Sequence, residues 1–147
     1  MLEKFIRYTK VADRLFIDTF LMANKPIPQA EALFSHILNA QHIWICRINK
    51  VTPSRERFDI LPVSAFMEIH NTNISDLETI LATQNLNNVL NYTVSTGAKF
   101  ESSVQDILLH VANHSTYHRA QVASIFKQNG VQPPVTDLVA LIREGLL

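Results

Sequence analysis

The run His110-Val111-Ala112-Asn113-His114-Ser115-Thr116-Tyr117-His118-Arg119-Ala120-Gln121 lies inside the longest regular stretch of the chain, from about Glu101 to Asn129. Val104, Ile107, Val111, Val122 and Ile125 recur there at helical intervals, which predicts an amphipathic helix with Ser102 or Ser103 as its N-cap and Gly130 as its stop. At about 100° per residue, with His114 as zero, Ile107 and Ile125 fall at about +20°, His118 at about +40°, Val111 at about +60° and His110 at about −40°. His114 and His118 therefore share the apolar stripe, and His110 sits on its rim. Two histidines four apart on a helix have Cβ atoms only about 5–6 Å apart and can reach one ion together. His110 and His118 are about 12 Å apart along the axis, too far for all three to share it. A third ligand has to come from another helix.

Working outward, apolar residues at helical spacing predict a first helix from Glu3 to about Ala23, ended by Asn24-Lys25-Pro26-Ile27-Pro28. A second runs from about Gln29 to Asn49 and stops before Thr52-Pro53. A third, with Ser64 as expected N-cap and Asn71-Thr72-Asn73 as its weak point, reaches about Ala82. Val89 to Val94 has the β-character of an extended segment or short hairpin arm. Pro133-Pro134 precedes a short helix that begins near Thr136-Asp137. With no internal repeat, these elements predict one all-α domain over residues 1–147: an antiparallel four-helix bundle with a short extra C-terminal helix.

On the second helix His36 falls at the edge of the apolar arc of Phe34, Ile37, Leu38 and Ile45, whereas His42 falls among Glu31, Ser35, Asn39 and Asn49 and is expected in solvent. His36 is thus the economical third ligand. A lone histidine on an apolar face, such as His70, is usually a core residue hydrogen-bonded to a neighbour. Two on one inward stripe would together cost several kcal/mol in desolvation unless each ring nitrogen finds a partner, and ligation to one metal satisfies both.

The composition is 47% hydrophobic with only 3 Gly and 6 Pro, which favours an ordered helical fold. Thirteen basic residues balance 13 acidic ones and no basic run is present, which argues against nucleic acid or an anionic membrane as partner. Cys46 is the single cysteine, and the first residues interleave charged with apolar side chains, unlike a signal peptide. A reducing cytoplasm is the expected compartment.

HVANHSTYHRAQ resembles the fourth-helix signature of the DinB/YfiT-like family of metal-binding bundles. HILNAQHIWICRI (36–48) resembles the family's second-helix segment, and PPVTDLVALIRE (133–144) its C-terminal turn and helix. The resemblance implies an up-and-down four-helix bundle with a pocket at one end, frequent homodimers, and a divalent-metal site whose ligands match His36, His114 and His118. Ala120 departs from the family pattern, where glycine is common, and His42 is an extra histidine in the second-helix motif. The family's chemistry is less uniform than its fold, with some relatives transferring or isomerising low-molecular-weight thiols, so reaction class is not carried by fold alone.

Other residues receive expectations from the same wheels. Trp44 and Arg47 share the His36 face and either line the pocket or pack the core. Arg47 or Arg119 is a candidate for holding an anionic substrate group, although Arg119 points away from His114. Tyr117 and Gln121 are placed to hydrogen-bond a ligand, Asp13 or Asp106 to orient an imidazole, and Cys46 to do neither. Ile17, Leu21, Leu109 and Ala120 fall outside the inward stripes and mark helices one and four as the expected dimer contact.

Two function classes follow. One is a metal-dependent enzyme, of the thiol-transferase or hydrolase type, with zinc or nickel on three imidazoles and an open position for a small molecule. The other is a non-catalytic dimeric bundle with a structural or vestigial metal, serving as a binding or stress-response module. No glutamate follows His114 as in hydrolytic zinc helices, since the next residue is Ser115.

Overall fold

The computed structural model describes residues 1–147. Helix α1 (Leu2–Ala23) is followed by α2 (Pro28–Asn49), a 3₁₀ turn (Val63–Ala65), α3 (Phe66–Thr83), strands β1 (Val89–Thr93) and β2 (Lys99–Ser103), α4 (Val104–Gln128) and α5 (Leu138–Arg143). The expected bundle of four main helices with a short C-terminal helix is present. Asn24 closes α1 in the left-handed conformation, and Pro28 opens α2, where its missing N–H leaves no orphan donor. Two boundaries differ from expectation. Ser64 does not cap α3, because residues 63–65 form the 3₁₀ turn and the helix begins at Phe66 without a side-chain cap. Residues 101–103 belong to β2, paired antiparallel with β1 from Val89↔Ser103 to Thr93↔Lys99, so α4 starts at Val104. Ser103 is its N-cap, accepting from the Asp106 N–H.

Helix α1 packs on α3 and α4, and α2 packs on the same two, so the circuit around the bundle is α1, α3, α2, α4. The four helices pack as a bundle but do not alternate in direction as the expected up-and-down order would have them: α2 and α3 run the same way, since Phe34 meets Phe66 near their starts, and Ile45 and Ile48 join Leu77 and Ile80 near their ends. The chain from Lys50 to Pro62 must therefore return along the whole length of α2. It does so through hydrogen bonds with that helix, from the Ser54 N–H to His42 Nε2, from Arg55 Nε to Asn39 Oδ1 and from the Leu61 N–H to Ser35 Oγ. The face of α2 expected in solvent is thus covered. Ser35 and Asn39 are fully buried, and His42 is half-buried, accepting from Ser54, instead of projecting into water.

The interior has two apolar ends and a polar middle. Phe16, Phe20, Phe34, Phe66 and Phe126 form one end, each ring contributing about 1.5–3 kcal/mol by burial. Ile6, Ile45, Leu77, Leu108 and Val111 belong to the other. Between them lie Asp13, Gln41, Asn73, Ser115 and Arg119, all buried. Asn73 lies in the stretch read as the weak point of α3, yet it ties that helix to α2 by donating to the Leu38 carbonyl at 2.9 Å and to Gln41 Oε1 at 3.2 Å. Helix α5 covers α1, where Leu141 packs on Tyr8 and Ala12 and the Tyr8 hydroxyl donates to the Thr136 carbonyl. Ile17, expected on an outer face, is fully buried at the phenylalanine end, while Leu21, Leu109 and Ala120 are exposed. No helix is long and apolar enough to cross a membrane.

Candidate functional site

Helix α4 has two neighbours, so its buried arc is wider than one apolar stripe. Leu108, Ala112, Ser115, Arg119 and Phe126 are all buried, and they shift the centre of that arc to about +90° from His114. His114 and His118 consequently sit at its edge, facing α2 and half-buried. Helix α2 runs antiparallel to α4 and presents His36, 9% exposed, to that edge.

The three rings converge. His36 Nε2 lies 3.1 Å from His114 Nε2, and ring centroids are 4.9 Å apart for His36 and His114, 4.8 Å for His36 and His118, and 4.4 Å for His114 and His118. One ligating nitrogen from each lies within 4.8 Å of the other two, and the group could hold a metal ion. The outer nitrogens are engaged by oxygen acceptors: His36 Nδ1 donates to the Arg57 carbonyl at 3.1 Å, and His118 Nδ1 to Gln121 Oε1 at 2.7 Å. Those bonds select the tautomer that leaves Nε2 with a free lone pair.

Electrostatics favour neutral rings at His114 and His36. Burial, together with the neighbouring His118, His36, His110 and Arg57, pushes the His114 pKa down to about 3. Burial also lowers that of His36, against the Arg57 carbonyl, which raises it. Unprotonated imidazoles are the form that binds transition metals, so donor type, spacing and protonation all suit a divalent ion.

The three histidines singled out from the sequence are thus the three brought together. His110 is exposed and stands aside, its ring 5.6 Å from His114 and 5.4 Å from Trp44. His42 is held away by Ser54 and Cys46, and burial raises the Cys46 pKa, consistent with an unreactive thiol. His70 is a core residue, as expected for a lone histidine, but its Nδ1 has no hydrogen-bond partner and Asp13 Oδ2 stands 4.0 Å away.

Several expected roles are redirected. Asp13 accepts from Arg119 and Gln41, and Asp106 bonds to the α4 cap residue Ser103, so neither orients a ligand imidazole. Arg119 is spent on Asp13 and Thr116 in the interior and is not available to a substrate. Gln121 lies behind His118 instead of facing a ligand, and Tyr117 is exposed with its ring 5.0 Å from that of His118.

A cavity of 780 Å³ opens beside His36 and His114, lined also by Trp44, Arg47, Arg55, Glu56, Arg57 and His110. Of the two roles open to them, Trp44 and Arg47 both line the cavity, with the Arg47 guanidinium 4.4 Å from the Trp44 ring centre, and Trp44 also packs on the aliphatic end of the core. Arg57 and Phe58, the latter stacked on His36 at 5.1 Å, were not legible beforehand. They lie on the irregular segment that returns along α2, and its unusual length was the only available signal. A larger groove of 820 Å³ between α1 and α3 contains His70 but none of the three clustered histidines.

Comparison with curated proteins and with solved structures finds no match. The model of the DinB family matches residues 21–144, which take in α2, α3, the hairpin, α4, α5 and all three clustered histidines. The chain belongs to the DinB family.

Proposed function

We propose that this protein is a metal-dependent enzyme in which His36, His114 and His118 hold one divalent ion, zinc or nickel, and that it transfers a low-molecular-weight thiol or hydrolyses a small substrate. The observation that carries this reading is a cluster of three imidazoles with no fourth protein ligand, beside a cavity large enough for a small molecule. Such an ion, when bound, polarises an oxygen or sulfur donor and lowers its pKa. The chain's own residues do the rest: the Arg57 carbonyl and Gln121 fix the ring orientations, and Phe58 shields one side of His36. Thiol transfer is favoured over hydrolysis. Glu56 is the one carboxylate lining the cavity and is exposed, and Ser115 is buried and donates to the Val111 carbonyl, so no positioned general base accompanies the histidines.

The alternative of a non-catalytic dimeric bundle with a structural metal gains support from that same missing base. It loses support from position, because His114 and His118 are only half-buried at the edge of the buried face of α4. Zinc and nickel titration of the metal-free protein, with metal content measured by mass spectrometry, tests the site. One ion per chain is expected, lost in His36→Ala, His114→Ala and His118→Ala and kept in His42→Ala; equal content in all four variants would remove the proposal. Chelation separates the two readings: an open enzymatic site predicts a loss of only a few degrees in Tm, and a structural one predicts unfolding.

A further inference from the structure

The chain as a whole is neutral, yet the cavity beside the histidines is lined by three arginines, Arg47, Arg55 and Arg57, against the single carboxylate of Glu56. None of the three arginines has a carboxylate within 4.0 Å; the ion pairs of the protein lie elsewhere, at Lys10 with Glu78 and in the interior around Asp13. Arg55 donates to Asn39 and Arg57 to Ser95 Oγ at 3.1 Å, so each keeps donors to spare.

Arg47 is the least satisfied of the three cations. Its side chain makes no hydrogen bond to protein, and its guanidinium carbon stands over two rings, 4.4 Å from the centre of Trp44 and 5.2 Å from that of Tyr92. Stacking holds a guanidinium by its face and leaves its fork of N–H groups open at the edge. Burial, and the positive charge of Arg57, lower the Arg47 pKa while Tyr92 opposes them. A half-buried cation beside another cation, with unspent donors, lacks an anion. The wall that lacks it is the wall that also carries His36 and His114.

We propose that the ligand taken beside the three histidines carries an oxyanion, which Arg47 grips through paired N–H donors with Arg57 adding charge, while the ligand's donor atom is presented to the histidines. This rests on the open metal site proposed above and adds the substrate class: a thiol that carries an anionic group. A planar carboxylate fits the guanidinium fork best, since both of its oxygens can be engaged at once.

The test uses the zinc-loaded protein and three thiols that share a mercaptoethyl unit and differ in the group it carries: 3-mercaptopropionate, 2-mercaptoethanesulfonate and 2-mercaptoethanol. Trp44 is the only tryptophan and lies under Arg47, so its fluorescence reports binding directly, with calorimetry as a second readout. The carboxylate thiol is expected to bind about 10- to 100-fold more tightly than 2-mercaptoethanol, the increment of a charge-assisted contact, with the sulfonate between them. In Arg47→Gln the preference should fall to about twofold or less, with zinc content and circular dichroism unchanged; Arg57→Gln should reduce it partly. Equal affinity of all three thiols for the unmutated protein, or a preference that survives Arg47→Gln, would overturn the proposal and leave the metal-dependent reading standing. If no thiol bound but malonate quenched Trp44 in an Arg47-dependent manner, the anion site would hold and the thiol chemistry would fall.

Discussion

Arg119 Nη1 donates to Asp13 Oδ1 at 2.5 Å, and the two side chains are 2% and 0% exposed. This pair joins α4 to α1 at the level where the two apolar ends of the core meet. Asp13 Oδ2 accepts from Gln41 of α2, and Gln41 Nε2 also reaches Ser115, so one carboxylate ties three helices together. The layer lies beside the histidine edge of α4, with Ser115 and Arg119 each following a clustered histidine by one residue.

Removing one partner of that pair strands the other in the interior. Asp13→Ala should lower the unfolding free energy by about 3–5 kcal/mol, because Arg119 is left as an unpaired buried charge. The double replacement Asp13→Leu with Arg119→Met should cost much less than the single one, as it removes both charges. Urea denaturation of both variants checks this. A single variant within about 1 kcal/mol of the parent would show that the pair contributes little.

The hydrogen bond from His118 Nδ1 to Gln121 Oε1, 2.7 Å long, makes Gln121 the residue that orients one ligand of the proposed site. Gln121→Ala should weaken zinc binding about 10- to 100-fold without abolishing it, and Gln121→Glu should preserve most of the affinity. Competition with a chromophoric chelator measures both. An unchanged affinity in Gln121→Ala would mean that packing alone holds the His118 ring.

Acid should destabilise the metal-free protein. Burial is the foremost cause of a pKa below the ordinary value of 6.5 at His36, His42, His70 and His114. The unfolded chain then takes up protons near pH 6.5 while the folded chain resists them, so stability is complete above that value and is lost as pH falls toward the folded pKa values. His70, 2% exposed and without a partner at Nδ1, should be a major contributor. Urea midpoints at pH 7.5 and pH 5 should differ less in His70→Gln than in the parent. An identical pH response would assign the effect to the other histidines.

Self-association is expected through α1 and α4, where Leu21 and Leu109 are 51% and 47% exposed. Light scattering at micromolar concentration should give twice the 16.7 kDa of one chain. Leu21→Lys with Leu109→Lys should return it to one chain, since a charge at each exposed leucine opposes its burial in an interface. A mass of one chain for the unmutated protein, with and without zinc, would remove the dimer.

The relations that held from sequence to structure are those internal to a helix. His114 and His118 had to share an edge because four residues nearly complete one turn, and the phase of Phe34, Ile37 and Leu38 had to put His36 at the rim of its own buried arc. Angular position within a helix is local, so it survives whatever the helix packs against. The width of a buried face is not local. Arg119 and Ser115 are interior because α4 touches both α1 and α2, and Ile17 is interior because α1 likewise has two neighbours. Ser35 and Asn39 are buried, and His42 half-buried, because α2 and α3 run in the same direction, which obliges residues 50–62 to travel back over a face whose residues are polar. That return also delivers the Arg57 carbonyl to His36 and sets Arg55 and Arg57 opposite Arg47, so the surroundings of the histidines were decided by helix order around the bundle, a long-range property that periodicity does not encode.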